Sequence, residues 1–174
     1  MRGLMENNLR ARLGELGLQL PEAPRPRGKY VGVTVHNGIA YVSGQVSRLG
    51  DDVICGPVDE NTSSHTIKLA AETCVLRALS ALTAVENAYG FDRILFMRGY
   101  INAVPGFTAH SAVLDAASEL LHAIFGEQGV HSRSAVGVSS LPNCGLLEIE
   151  LVVSLIANPP RDAGTALPKV TQCL

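Results

Sequence analysis

The sequence predicts an α+β sandwich, with two helices packed on one face of a mixed β-sheet. Three observations carry that reading. LLEIELVVSLI at 146–156 alternates with period two, so Leu147, Ile149, Leu151, Val153 and Leu155 form one wholly apolar face. Asn37-Gly38 joins two alternating runs, a strong hairpin signal. Two further segments instead repeat their apolar residues at helical spacing.

The composition bounds the problem. At 174 residues the chain reads as one domain over 1–156 with a loose tail over 157–174. Apolar content of 47% and charged content of 17% exclude a disordered chain. A net charge of −2 gives no basic footprint for nucleic acid. Aromatics at 5% and the lack of Trp speak against a base-stacking platform. No run reaches the roughly 18 apolar residues of a membrane span, and the first residues lack a signal-peptide core. Cys55, Cys74, Cys144 and Cys173 show no paired spacing, which fits a reducing, cytoplasmic setting.

In chain order, residues 7–17 read as a short amphipathic helix carrying Leu9, Leu13 and Leu16, with Gly17 as its stop. The proline-rich stretch 21–28 is a connector. The hairpin spans 30–36 and 39–47, and 48–61 is a loop. A helix starts near Thr62-Ser63-Ser64, where hydroxyls can cap it, and Gly90 ends it. Its stripe is Ile67, Ala70, Ala71, Cys74, Ala78, Leu82 and Val85. Residues 93–104 are apolar on both faces and read as a central strand. After a Pro105-Gly106 turn, one helix runs from about 109 to 125, closed by Gly126. Two strands follow, split at Leu141-Pro142. The order is ββαβαββ after the first helix.

The candidate chemistry sits in the last two strands. Glu148 and Glu150 interrupt the second face of the final strand, where two acids are costly without solvent, partner or ligand. Arg133 shares its face with Ala135 and Gly137, a floor of small residues that leaves room for a small anion. Arg133 and Glu148 can equally form a structural ion pair, and Glu150 reads as structural. Tyr41, Gln45, Arg133 and Glu148 make the sheet's free face too mixed for plain solvent, so another copy of the chain should cover it. No two histidines have metal-ligand spacing, and no serine has a base nearby in sequence.

R-S-x-V-x-V-x-x-L-P-x-x-x-x-x-E-I-E, here Arg133 through Glu150, resembles the signature of the Rid/YjgF family. G-x-Y at Gly28 to Tyr30 and Y-V-S-G-Q at Tyr41 to Gln45 match the same family, over roughly residues 8–156. The LGLQLP opening at 16–21 and the GEQGVHSRSAVG segment at 126–137 look like a longer subgroup with an N-terminal helix. The resemblance implies a chorismate-mutase-like fold, a homotrimer with intersubunit clefts, and hydrolytic deamination of small 2-imino and 2-enamino acids. Arg133 would grip the substrate carboxylate, with the Ala135 N–H beside it. Glu148 would handle protons and Tyr30 would line the cleft. Two departures stand out: Ala135 replaces a frequent cysteine, and Asp115 replaces an asparagine, which would disfavour an anionic substrate. No metal or organic cofactor is implied. The alternatives are a non-catalytic carboxylate-binding module, a ribonuclease acting on translation, and a chorismate-mutase-like isomerase.

Overall fold

The computed structural model describes residues 4–26 and 28–159. Helix α1 (Leu4–Glu15) comes first, and among its described side chains Leu13 is buried. Arg12 Nε donates to the Ala123 carbonyl at 2.9 Å, fastening α1 to the last helix. Gly17 lies at φ 70°, the left-handed conformation that stops a helix. The proline-rich connector follows, pinned where Ser80 Oγ donates to the Pro21 carbonyl at 2.7 Å.

Strands β1 (Val33–His36) and β2 (Ile39–Val46) form the expected hairpin. Asn37 and Gly38 sit at φ 49° and 75°, the positive pair that a two-residue hairpin turn needs. The stretch 48–61 is not wholly loop: β3 (Arg48–Leu49) and β4 (Asp52–Val53) make a small hairpin closed around Gly50. Its turn signal is weak because neither strand is long enough to show alternation.

Helix α2 (Ser64–Leu82) begins where Ser63 Oγ accepts the Thr66 N–H at 3.1 Å. Ala70, Ala71, Cys74 and Ala78 of its expected stripe are buried, while Ile67, Leu82 and Val85 are only partly so. Gly90 does not end it. Thr83 Oγ1 donates to the Ser80 carbonyl at 2.8 Å and the chain tightens into a 3₁₀ turn over Thr83–Val85. Gly90 instead lies inside β5 (Tyr89–Asn102), four residues longer at its start than its apolar pattern suggested. The helix expected over 109–125 is two helices, α3 (His110–Val113) and α4 (Asp115–Phe125). They meet at Leu114, fully buried against Gly99, where an added Cβ would overlap the leucine methyls.

Strands β6 (Ser132–Val138) and β7 (Leu147–Ala157) complete one five-stranded sheet in the order β1-β2-β7-β5-β6. β5 and β6 run parallel and the other pairs antiparallel. The helices cover one face only, and Leu147, Ile149, Leu151, Val153 and Leu155 are all buried there. The other face exposes Tyr41 and Val136 beside an Arg98–Glu150 ion pair at 2.8 Å. From residue 160 onward, the tail lies outside the described residues. Among the described residues, no helix is long and apolar enough to cross a membrane.

Two glycines test this packing. A Cβ at Gly129 would run into the Leu121 carbonyl, which is backbone and cannot step aside. We predict that Gly129→Ala costs about 1–3 kcal/mol, lowering Tm by roughly 2–10 °C. Gly14, on α1 with open space around it, should gain about 0.5–1 kcal/mol as alanine. Thermal melts of both variants check the pair; equal Tm values would show that Gly129 is not in close contact with α4.

Candidate functional site

A cleft of about 660 Å³ opens beside the start of β7. The connector, β2, α2 and the turn before β7 wall it, and Tyr30, Gly44, Gln45, Arg48, Arg77 and Glu148 line it. Glu148 is half-buried, and burial, followed by the neighbouring Glu150, pushes its carboxyl above the ordinary glutamate range. Gly44 makes that position possible: a Cβ there would overlap Glu148 Oε1. The β2 ladder shifts register between Val42 and Gln45, and this bulge brings Gly44 against the acid. Tyr30 stands 58% exposed at the cleft's rim. Glu150, by contrast, is engaged by Arg98 and by Tyr100 Oη at 3.5 Å, in keeping with a structural role.

Arg133 does not line this cleft. It pairs across the sheet with Met97, which pairs with buried Leu151, so its side chain belongs to the helix-covered face. Glu148 belongs to the opposite face. Strand spacing puts the two Cα atoms about 14 Å apart, so the two residues form no ion pair within one chain. Arg133 instead reaches α3 and α4. Its Nη2 donates to Asp115 Oδ1 at 2.6 Å and to Ser111 Oγ at 3.0 Å and the Ser111 carbonyl at 3.2 Å. Its Nη1 donates to Ser118 Oγ at 2.9 Å. His131 Nε2 meets the same Ser118 hydroxyl at 3.3 Å.

These contacts correct the expectation of an open floor. The space above Gly137 is taken by the His110 ring, which an added Cβ would strike. Nη2 is already saturated, so the Nε/Nη2 edge of the guanidinium cannot make a bidentate grip while Asp115 and Ser111 hold it. Asp115 therefore does come to Arg133, and it balances the arginine's charge. Nε and one Nη1 hydrogen have no partner among the described residues.

Ala135 is better placed. Val138 accepts the Ala103 N–H across the ladder, so by two-residue alternation Ala135 turns its N–H to the free edge of β6. Arg133, Ala135 and Asp115 thus form one group at the β6 edge, with Tyr30 and Glu148 forming another at the β2–β7 end.

Two residues escaped the sequence reading. Gly44 was visible only as part of a motif. Gln45, expected on the free face, pairs beyond the bulge with buried Ile149 and is itself buried. Arg77 follows Cys74 by three residues and abuts the buried stripe of α2, a placement that marks an arginine held close to the core. Among the described residues, no three His, Cys, Asp or Glu side chains converge as metal ligands.

The chain is similar to several known proteins. Protein TCP17 of Trypanosoma cruzi is 32% identical over 150 residues, covering 83% of this chain and 92% of that one. The crystal structure of Atu1372, of unknown function, from Agrobacterium tumefaciens matches with TM-score 0.78 and 32% identity, covering 87% of this chain and 95% of that one. The Rid-family protein YyfA of Yersinia pestis, also of unknown function, matches with TM-score 0.54 and 25% identity, covering 76% and 93%. A family model described as Endoribonuclease L-PSP matches residues 20–155. With that match spanning most of the fold described above, the chain belongs to the Endoribonuclease L-PSP family, the YjgF/Rid group.

Proposed function

We propose that the protein hydrolyses small 2-imino and 2-enamino acids, releasing ammonia and a 2-keto acid, in clefts completed by a second copy of the chain. The observation that carries this is the separation of two polar groups on one chain: Glu148 at one end of the sheet, Arg133 and Ala135 at the β6 edge. Each group is half of a site. Two different surfaces meet head to tail, and a head-to-tail contact closes into a ring, here a trimer. The free β6 edge and the partly apolar open face supply surface for that contact.

The chemistry follows from the groups. A 2-enamino acid first takes a proton from solvent at its β-carbon, and this iminium, like a 2-imino acid protonated on nitrogen, has an electrophilic C=N carbon. Water adds there, forming a C–O bond and giving its proton to Glu148. Glu148 returns that proton to nitrogen, the C–N bond breaks, and as the carbonyl forms its hydroxyl proton passes to Glu148 and on to the departing ammonia, which leaves as ammonium. A carboxyl raised above the ordinary glutamate range by burial accepts and returns a proton more readily than an exposed one. Tyr30 lines the cleft, while Arg133 and the Ala135 N–H, from the adjoining copy, donate hydrogen bonds to the substrate's carboxyl end. Asp115 at Arg133 also supports a second reading, binding without turnover; ligand-induced stabilisation with no ammonia release selects it.

Three outcomes are expected. Light scattering should report a trimer at micromolar concentration, and a stable monomer contradicts the shared cleft. Glu148→Gln should lower 2-iminobutyrate turnover by roughly 10²–10⁴. It should not destabilise the fold, because Arg133 is paired elsewhere. Since folding raises the Glu148 pKa, the ionised carboxylate is a cost that grows as pH climbs from the ordinary glutamate value through the raised one. Tm of Glu148→Gln should thus exceed wild type at pH 7 and converge with it below about pH 4. Finally, Asp115→Asn should free the Arg133 fork and tighten small-carboxylate binding about tenfold, measured by calorimetry. Unchanged affinity there would show that Arg133 does not reach the ligand.

A further inference from the structure

Behind Arg133 lies an imidazole that the reaction above does not use. His131 is half-buried at the entry to β6, between the 3₁₀ turn over Gly126–Gly129 and α4. Its Nδ1 lies 2.6 Å from the Gly129 carbonyl. A carbonyl oxygen can only accept, so Nδ1 carries the proton. In the neutral ring Nε2 is then the acceptor, and the Ser118 hydroxyl, 3.3 Å away, donates to it. That commits the hydroxyl's one proton. The lone pairs of Ser118 are left for Arg133 Nη1, which donates at 2.9 Å. The donors therefore run in one direction, from Arg133 through Ser118 and His131 to Gly129. A serine inside a helix often turns its hydroxyl back to the carbonyl one turn earlier. Ser118 instead sends its proton across to His131. The ring is held by backbone that cannot drift, because Gly129 packs so closely on the Leu121 carbonyl that an added Cβ would overlap it. Leu121 lies about one turn beyond Ser118, so α4 supports both ends of the bridge.

We infer that His131 is a positioning residue for carboxylate binding: by taking the Ser118 proton it turns the serine's lone pairs to Arg133 and fixes the direction of the remaining Nη1 hydrogen. This rests on the ligand role given to Arg133 above. The guanidinium is planar, so tying one Nη1 hydrogen to Ser118 sets where the other points. Asp115 and Ser111 hold Nη2 in the same way. A ligand at the β6 edge then meets a donor of fixed direction near the Ala135 N–H. His131 itself touches no substrate and acts only through Ser118. Without it the hydroxyl is free to turn back along α4, and Nη1 loses its anchor.

The two ring nitrogens can be replaced separately. His131→Asn keeps a donor for the Gly129 carbonyl but falls short of Ser118. His131→Gln puts an amide oxygen near the Nε2 position, where it accepts from Ser118, and gives up the Gly129 bond. Calorimetry on the full-length protein with 2-oxobutyrate should show His131→Asn binding about fivefold more weakly, the usual worth of one hydrogen bond, and His131→Gln binding like wild type. With 2-iminobutyrate, His131→Asn should raise KM by a similar factor and leave kcat nearly unchanged. Added to Ser118→Ala, it should cost nothing further. If His131→Asn fails to fold, Ser118→Ala removes the same link from its other end and must show the same loss. A merely structural His131 predicts otherwise: His131→Gln, lacking the Gly129 bond, would melt lower, and both variants would bind alike. The inference is overturned if His131→Asn binds 2-oxobutyrate like wild type, or if His131→Gln is as weak as His131→Asn. Nitrogen NMR that finds the proton of the neutral ring on Nε2 overturns it too. Wild type that does not bind 2-oxobutyrate overturns it together with the ligand role of Arg133. The expected order of affinities with no ammonia release from 2-iminobutyrate would leave the inference standing and refute hydrolysis.

Discussion

The alternation of β7 is the constraint on which the rest depends. The strand lies between β2 and β5 in the middle of the sheet. Its five apolar residues from Leu147 to Leu155 are buried under the helices, and their burial fixes the register. A slip of one residue would drive Glu148 and Glu150 into the core, a cost no native domain could absorb. The register therefore forces both carboxylates to the opposite face. There Arg98 satisfies Glu150, while Glu148 is left half-buried in a cleft with its carboxyl pushed up.

From that constraint the division of the site follows. Arg133 shares the helix-side row with Met97 and Leu151, so it cannot meet Glu148 within one chain. The family signature reads Arg133 and Glu148 as one motif, but the fold puts Arg133 on the β6 edge strand and Glu148 on the opposite face of central β7. A second copy can bring two such surfaces together without any change in either. The tether of Arg133 to Ser111, Asp115 and Ser118 gives its edge a fixed, charge-balanced shape. The Glu148 cleft then carries the unbalanced charge.

Much of the fold was legible because its signals are local. The Asn37-Gly38 turn, the alanine stripe of α2 and the β7 alternation each depend on neighbours within one or two turns of chain. The errors arose where tertiary contacts overrule local pattern. Thr83, rather than Gly90, ends α2 because its hydroxyl reaches back to Ser80. Leu114 interrupts a continuous helical pattern at its contact with Gly99, fifteen residues earlier on another layer. The site was half legible. Glu148 and Arg133 stood out as charges in apolar strands, but the space around Arg133 did not: His110, Ser111 and Asp115 fill it from helices that only packing brings there. Arg77 was hidden inside a helix whose spacing argued only for core.

The central claim is that a working site takes Glu148 from one copy and Arg133 from another. Subunit mixing tests it most directly. Arg133→Ala and Glu148→Gln proteins, each impaired alone, are unfolded together, refolded and assayed for ammonia release from 2-iminobutyrate. Random head-to-tail assembly of equal amounts should restore about one quarter of wild-type activity, since one interface in four then carries both intact residues. Mixed assemblies no more active than either parent would contradict a site shared between chains.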